Sequence, residues 1–137
     1  MTIAEKILAA HSGKKSVSPK DIVDARIDYV MVNDVTGLPA FEVFEEFDAT
    51  PILPKTVLIQ DHYVPNKDVA SAEQAKSIRA FARRYGIETH FDVGRSGLCH
   101  QIMIEAGFAA PRPLLGGPEL ATFSSGALGP LSTGFGC

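Results

Sequence analysis

Asp61-His62 follows the apolar run Thr56 to Ile59 and Gln60, and leads into Tyr63 and Pro65. A carboxylate beside an imidazole favours the protonated ring, and it fixes the ring's orientation when it accepts one of its N–H groups. A histidine held this way can donate a proton to a leaving hydroxyl. Neighbours on a true strand point to opposite faces, so the pair cooperates only from the bend after the strand. The dipeptide also fits a plainer use, with Asp61 capping a turn and His62 half-exposed in a loop. His100 falls in the first turn of an expected helix, where the positive dipole end disfavours charge. A neutral His100 could donate one hydrogen bond to a carboxylate ligand, or pack beside Cys99, Ile102 and Met103. Asn33 opens the polar turn Asn33-Asp34-Val35-Thr36, in which Thr36 or Asp34 would cap the next helix and Asn33 could face a ligand. Arg95-Ser96 precede a helix amino terminus, a place that suits anions. His90 reads as structural, and His11 as a charge near the negative end of a helix.

These residues need elements to position them. Thr2 and Glu5 have capping-box spacing, Ile3, Ile7 and Leu8 share a face, and Gly13 suits the stop. Arg26 to Val32 reads as a strand. Leu38, Phe41, Phe44 and Phe47 mark a helix over 36–47. Thr56 to Ile59 is a second strand. Ser71 to Tyr85 is a helix with Ser71 and Gln74 as its capping box and Gly86 as its end. Glu88 to Val93 is a third strand, Gly97 to Ala106 a helix, and Leu114-Leu115 the start of a fourth strand. Alternation of this kind predicts a layered α/β fold with a mainly parallel sheet. Sites in such folds collect at the carboxyl edge of the strands. Asn33-Asp34, Asp61-His62 and the loop before His100 all fall there, so one sheet edge could hold all three.

Length and charge narrow the function classes. At 137 residues the chain is one domain, and its net charge of -3 gives no basic surface for nucleic acid. No apolar run is long enough to span a bilayer, and the charged, mixed amino terminus is not a secretory signal, so a cytoplasmic location is expected. The two cysteines, Cys99 and Cys137, give neither a disulfide framework nor a metal-ligand spacing. From Gly107 onward only Arg112 and Glu119 are charged, and this stretch holds 7 of the 12 glycines and 4 of the 9 prolines. Such a composition suits a linker, a set of buried loops or part of an interface.

Three segments carry a likeness to a known family: TIAEKILAAHSGKKSVSPKDIVDARIDYVMVNDVTG, VLIQDHYVPNKDVASAEQAKSIRAFARRYGI and HFDVGRSGLCHQIMIEAGFAAP. Together they resemble the amino-terminal part of an aconitase-superfamily hydro-lyase. The type is the large subunit shared by 3-isopropylmalate dehydratase and homoaconitase. The likeness runs from Thr2 to Pro111 and resumes at Gly126 to Gly129 and Ser132 to Gly134. It implies a layered αβα arrangement with a mainly parallel sheet, an incomplete part of an aconitase-like iron–sulfur domain. It implies a hydro-lyase that removes water from a small hydroxy-acid and adds it back at the neighbouring carbon. The substrate would be 2-isopropylmalate in leucine biosynthesis, or the homoaconitase equivalent in lysine biosynthesis. The resemblance further implies a [4Fe-4S] cluster on three cysteines, with an open iron as Lewis acid, and a dehydratase small subunit that covers the site and contributes a base. By resemblance, Asp61 and His62 assist proton transfer at the hydroxyl, His100 matches a second active-site histidine, and Asn33 matches a polar substrate-binding position.

The likeness breaks after Pro111. Glu119, Leu120 and Ala121 stand where the family pattern has Asp-Ser-His, Thr122 matches, and Phe123 stands at an expected cysteine. Neither Cys99 nor Cys137 matches a ligand position, and the family's later Cys-x-x-Cys pair would lie beyond Cys137. The expectation is a partial domain over 1–137, family-like over 1–106 and glycine-rich, divergent and truncated over 107–137. Alone it would bind no cluster and catalyse no dehydration. Two other accounts fit the same residues: a non-catalytic α/β module that binds a small subunit or a carboxylate, and a structural α/β domain whose histidines are incidental.

Overall fold

The computed structural model describes residues 1–47 and 55–135, and Cys137 lies outside them. Five strands form its centre: β1 (Tyr29–Asn33), β2 (Thr56–Ile59), β3 (His90–Phe91), β4 (Leu114–Gly117) and β5 (Leu131–Gly134). They pair side by side in the order β3-β2-β1-β4-β5, every pairing parallel. Around them lie α1 (Ile3–Ser12), α2 (Gly37–Phe47), α3 (Val69–Tyr85), α4 (Cys99–Glu105) and a 3-10 helix over Leu120–Leu128. Among the described residues no helix is long and apolar enough to cross a membrane.

Side-chain alternation on the strands sorts the core into two layers. Met31, Val57 and Ile59 face one way, onto Cys99 and Met103 of α4 and Leu115 of β4. Val32 and Leu58 face the other way, onto Phe41 of α2 and Ile78, Phe81 and Ala82 of α3. Helices on both faces explain why β2 reads as an unbroken apolar run, for all four of its residues are buried. Met31, Val57, Leu58, Ile59, Met103 and Leu115 are each no more than 1% exposed. Burial of such side chains stabilises a fold by about 1.5–3 kcal/mol each. The layered α/β fold expected from the alternation of elements is the one that forms.

The ends of the elements differ in instructive ways. Thr2 and Glu5 make both halves of the α1 capping box, and Gly13 takes the left-handed conformation at its end. α3 starts earlier than its Ser71–Gln74 spacing suggests. Asp68 is the N-cap and Ser71 is its reciprocal partner, while the Gln74 amide donates to the Asp34 carbonyl instead. β1 begins at Tyr29, not Arg26, because the Arg26 N–H is taken by the His11 carbonyl and the Asp28 carboxylate by His11 and the Leu114 N–H. β3 is an edge strand of two residues, paired with β2 alone.

The glycine-rich stretch is neither linker nor loose loop: it adds two parallel strands to the sheet. A Cβ on Gly117 would lie 2.8 Å from Thr122 Oγ1 and 2.9 Å from the Met31 carbonyl oxygen. A Cβ on Gly134 would lie 2.7 Å from the Leu120 Cα. Glycine at both positions lets β4 and β5 close around the segment that starts at Glu119. The Thr122 hydroxyl then donates to the Glu119 carbonyl at 2.5 Å, and the Ser132 hydroxyl to the Thr122 carbonyl at 2.6 Å.

Candidate functional site

The strand order reverses between β1 and β4, since β2 and β3 extend the sheet one way and β4 and β5 the other. Open parallel sheets bind ligands in the crevice beyond the carboxyl ends at such a reversal. Asn33 ends β1 and Glu119 lies two residues beyond β4. Their side chains meet across the gap, the Asn33 Nδ2 donating to Glu119 Oε2 at 3.2 Å.

Asn33 is buried, and its amide is bonded on both sides. Oδ1 accepts from the Val35 N–H at 3.1 Å, the Thr36 N–H at 3.0 Å and the Thr36 hydroxyl at 2.8 Å. Asn33 itself therefore ties the turn before α2, a task expected of Thr36 or Asp34. Asp34 is turned away to the next strand end, where it accepts from the His62 N–H at 3.1 Å and the Tyr63 N–H at 2.8 Å. A buried carboxylate with two amide donors is stabilised in place.

Asp61 and His62 do lie on the bend after β2. His62 Nδ1 donates to Asp61 Oδ1 at 2.5 Å and lies 3.3 Å from Asp34 Oδ1. The other Asp61 oxygen accepts from the Cys99 N–H at 2.9 Å, which joins this loop to the start of α4. The His62 side chain is 41% exposed, while those of Asp61 and Asp34 are 5% and 3% exposed. Burial is the largest single influence on His62 and opposes charge. The hydrogen bond and charge of Asp61, followed by the charges of Asp34 and Glu119, outweigh it and raise the imidazole above its ordinary value. For Asp61 the balance runs the other way. Burial again opposes charge, but the Cys99 N–H and thiol and the His62 ring hold the carboxyl below its usual range. The result is a half-exposed ring whose protonated form is favoured, held through Nδ1 by a buried carboxylate.

His100 meets a carboxylate of this chain. Its Nε2 lies 3.1 Å from Glu119 Oε2. Its Nδ1 is buried without a partner among the described residues. The Cys99 thiol points at the same Glu119 oxygen from 3.7 Å. Burial, and then Asp61 and Glu119, push that thiol well above its ordinary value. Among the described residues two mixed groups of three have donor atoms within 4.8 Å of one another: Cys99, His100 and Glu119, and Asp34, Asp61 and His62.

All four residues singled out in the sequence, Asn33, Asp61, His62 and His100, thus meet at one sheet edge. Two others lie with them: Glu119, which was missed, and Asp34, whose place at the strand end was expected but whose partners were not. Glu119 read only as a departure from the family pattern, yet it keeps a carboxylate where an aspartate was expected, and that chemistry was the available signal. Asp34 read as a helix cap. Its true partners lie 28 and 29 residues away, and no local pattern points to them. Arg95 is exposed and Ser96 donates to the Gln60 carbonyl, so that loop forms no anion pocket. His90 lies outside the cluster and accepts from the Gln60 amide at 3.0 Å. Burial, the largest influence, lowers its ordinary value.

A [4Fe-4S] cluster needs three or more thiolates. The described residues supply one thiol, Cys99, which is buried and held protonated. Leu120 and Phe123 are exposed apolar side chains on the 3-10 helix and offer no donor. These residues do not fit a cluster.

Known proteins bear on the same residues. The chain is 43% identical over 99% of its length to the 3-isopropylmalate dehydratase large subunit of Thermodesulfovibrio yellowstonii, of which it covers 33%. It is 44% identical to that of Heliobacterium modesticaldum, covering 99% of this chain and 33% of the relative. It is 46% identical to that of Picrophilus torridus, covering 98% and 32%. The chain thus spans about a third of the length of the curated relatives it matches. The aconitase family (aconitate hydratase) matches residues 5–137, nearly the whole sequence. With that match and a site of acid–imidazole pairs at the edge of a parallel sheet, this chain belongs to the aconitase family.

Proposed function

We propose that this chain forms the proton-transfer wall of a hydro-lyase large subunit. The substrate class is a small hydroxy-acid, 2-isopropylmalate in the reading that the relatives' names favour. The observation that carries this is the Asp61–His62 pair: a half-exposed imidazole, raised above its ordinary value and fixed through Nδ1, whose Nε2 has no partner among the described residues. His62 Nε2 donates the proton that leaves with the substrate hydroxyl as water, and takes it back when water adds at the neighbouring carbon. Asp61 positions the ring. Asn33 and Glu119 present polar groups to the substrate's carboxylates and hydroxyl, with His100 holding the Glu119 carboxylate. The base that removes the carbon-bound proton comes from a small subunit, the partner implied by relatives named as large subunits. The iron–sulfur group of the family would supply Lewis-acid chemistry, and its ligands lie outside the described residues of this chain.

Calorimetric titration with 2-isopropylmalate tests this, on the chain alone and mixed with a dehydratase small subunit, beside a dehydration assay of both samples. The mixture binds the hydroxy-acid, binding weakens in His62→Ala, and the chain alone shows no turnover. Absence of binding to the mixture sinks the hydro-lyase reading. Turnover by the chain alone after anaerobic treatment with iron and sulfide sinks the claim that it supplies only one wall.

A further inference from the structure

We propose that Cys99, His100 and Glu119 form a site for one divalent transition-metal ion of the zinc class, distinct from any iron–sulfur cluster. The spacing of the donors carries the proposal. Zinc holds sulfur at about 2.3 Å and nitrogen or oxygen at about 2.0 Å in tetrahedral sites, which puts donor atoms about 3.3–3.5 Å apart. Here Cys99 Sγ and His100 Nε2 lie 3.7 Å and 3.1 Å from Glu119 Oε2. All the donor atoms lie within 4.8 Å of one another, so one ion fits between them once the side chains draw in.

The donor set suits the same ion. One thiolate, one imidazole and one carboxylate make a borderline-soft site that favours zinc or iron over magnesium or calcium. A thiolate and a carboxylate also balance the charge of a divalent ion. In the metal-free arrangement the Cys99 thiol donates to Glu119 Oε2, and His100 Nε2 lies 3.1 Å from the same oxygen. A cation takes the place of the thiol hydrogen between these atoms. The thiol proton goes to water and a neutral imidazole offers its Nε2 lone pair with its one proton on Nδ1, so one proton is released per ion. Asn33 Nδ2 donates to the same carboxylate oxygen and orients it, and its own Oδ1 is fixed by three donors. His100 and Glu119 side chains are 26% and 25% exposed, which leaves a path in and a fourth position for water.

The neighbouring group of Asp34, Asp61 and His62 is the built-in contrast. Its two carboxylates are already engaged by the N–H groups of His62, Tyr63 and Cys99 and by the His62 ring. An ion there would have to displace those bonds.

Cobalt(II) alone, added to the purified chain, reads this out without any enzymatic assay, so its result is separable from that of the hydro-lyase reading. The expected spectrum has the visible bands of a tetrahedral site and a thiolate-to-cobalt charge-transfer band, saturating at one ion per chain and displaced by zinc. Cys99→Ser removes the charge-transfer band, and Glu119→Gln weakens binding by about ten-fold or more. Cys137→Ser leaves the band in place. A folded chain, by circular dichroism, that shows no charge-transfer band at millimolar cobalt overturns the proposal. So does a band that survives in Cys99→Ser or disappears in Cys137→Ser. Should Cys99→Ser fail to fold, Glu119→Gln carries the test, and unchanged affinity in that variant is equally fatal.

Discussion

His11 and His62 each hold a carboxylate, at opposite edges of one sheet. At the amino edge His11 Nε2 donates to Asp28 Oδ2 at 2.6 Å, and its Nδ1 donates to the Ile7 carbonyl at 2.8 Å. Both ring nitrogens are therefore engaged. The His11 side chain is 12% exposed. Asp28 accepts from the Leu114 N–H as well, so the pair clamps α1 to the starts of β1 and β4. At the carboxyl edge His62 spends only Nδ1 on carboxylates, and among the described residues its Nε2 has no partner. The chemistry of the two pairs is the same, and the number of engaged nitrogens separates a clamp from a proton donor. Residue type alone would never have told them apart.

The largest effect that could break this comparison is on turnover. In a hydro-lyase assembled with this chain, His62→Ala lowers kcat by about 10²–10⁴, the usual contribution of a positioned acid. His11→Ala leaves kcat within a factor of about two, since nothing near the substrate crevice changes. Equal losses in steady-state assays of the two variants would abolish the distinction. The next effect is on stability and runs in the opposite order. His11→Ala leaves Asp28 with one donor instead of two and removes the tie to α1, at a cost of about 1–3 kcal/mol in urea unfolding. His62→Ala costs less, because its ring is 41% exposed and its partners keep their amide donors. A His62 variant less stable than the His11 variant would mean that the carboxyl-edge pair is the structural one.

How far the sequence discloses these roles depends on the distance over which each group finds its partner. The capping box at Thr2 and Glu5, the stop at Gly13 and the run Thr56 to Ile59 are local, and the fold uses them as written. The α3 start is also local, but two overlapping spacings compete there. Asp68 reaches the Ser71 N–H, while Gln74 is drawn to the carbonyl of Asp34, 40 residues away. Closure of β5 depends on close backbone approach at Gly117 and Gly134, which leaves no periodic trace in a stretch with two charges. Glu119 reaches the site only because that closure occurs. Asn33, Asp61, His62 and His100 were legible because strand ends converge at one edge of a parallel sheet whatever the loops do.

The smallest effect is the pH dependence of stability, and it sharpens the comparison by bringing in a third histidine. His62 has its folded value raised above 6.5, so its contribution is complete below 6.5 and fades as pH rises through the folded value. His90 has its folded value lowered below 6.5 by burial, so it favours the folded state above 6.5 and loses that advantage as pH falls through the folded value. The two slopes lie on opposite sides of 6.5, so between about pH 5 and 8 the wild-type unfolding midpoint should rise with pH below 6.5, fall above it, and peak near it. His62→Gln removes the falling slope and leaves a midpoint that rises with pH. His90→Gln does the reverse, and the midpoint falls. On the acid side Asp61, Asp28 and Asp92 are all held below 3.8, so their shared contribution is lost only as pH drops through those lowered values. Thermal midpoints across that range check the signs. Parallel curves for wild type and His62→Gln would mean that the His62 ring is no better held in the folded chain than in the unfolded one, and the proton donor at the carboxyl edge would lose its charge at the working pH.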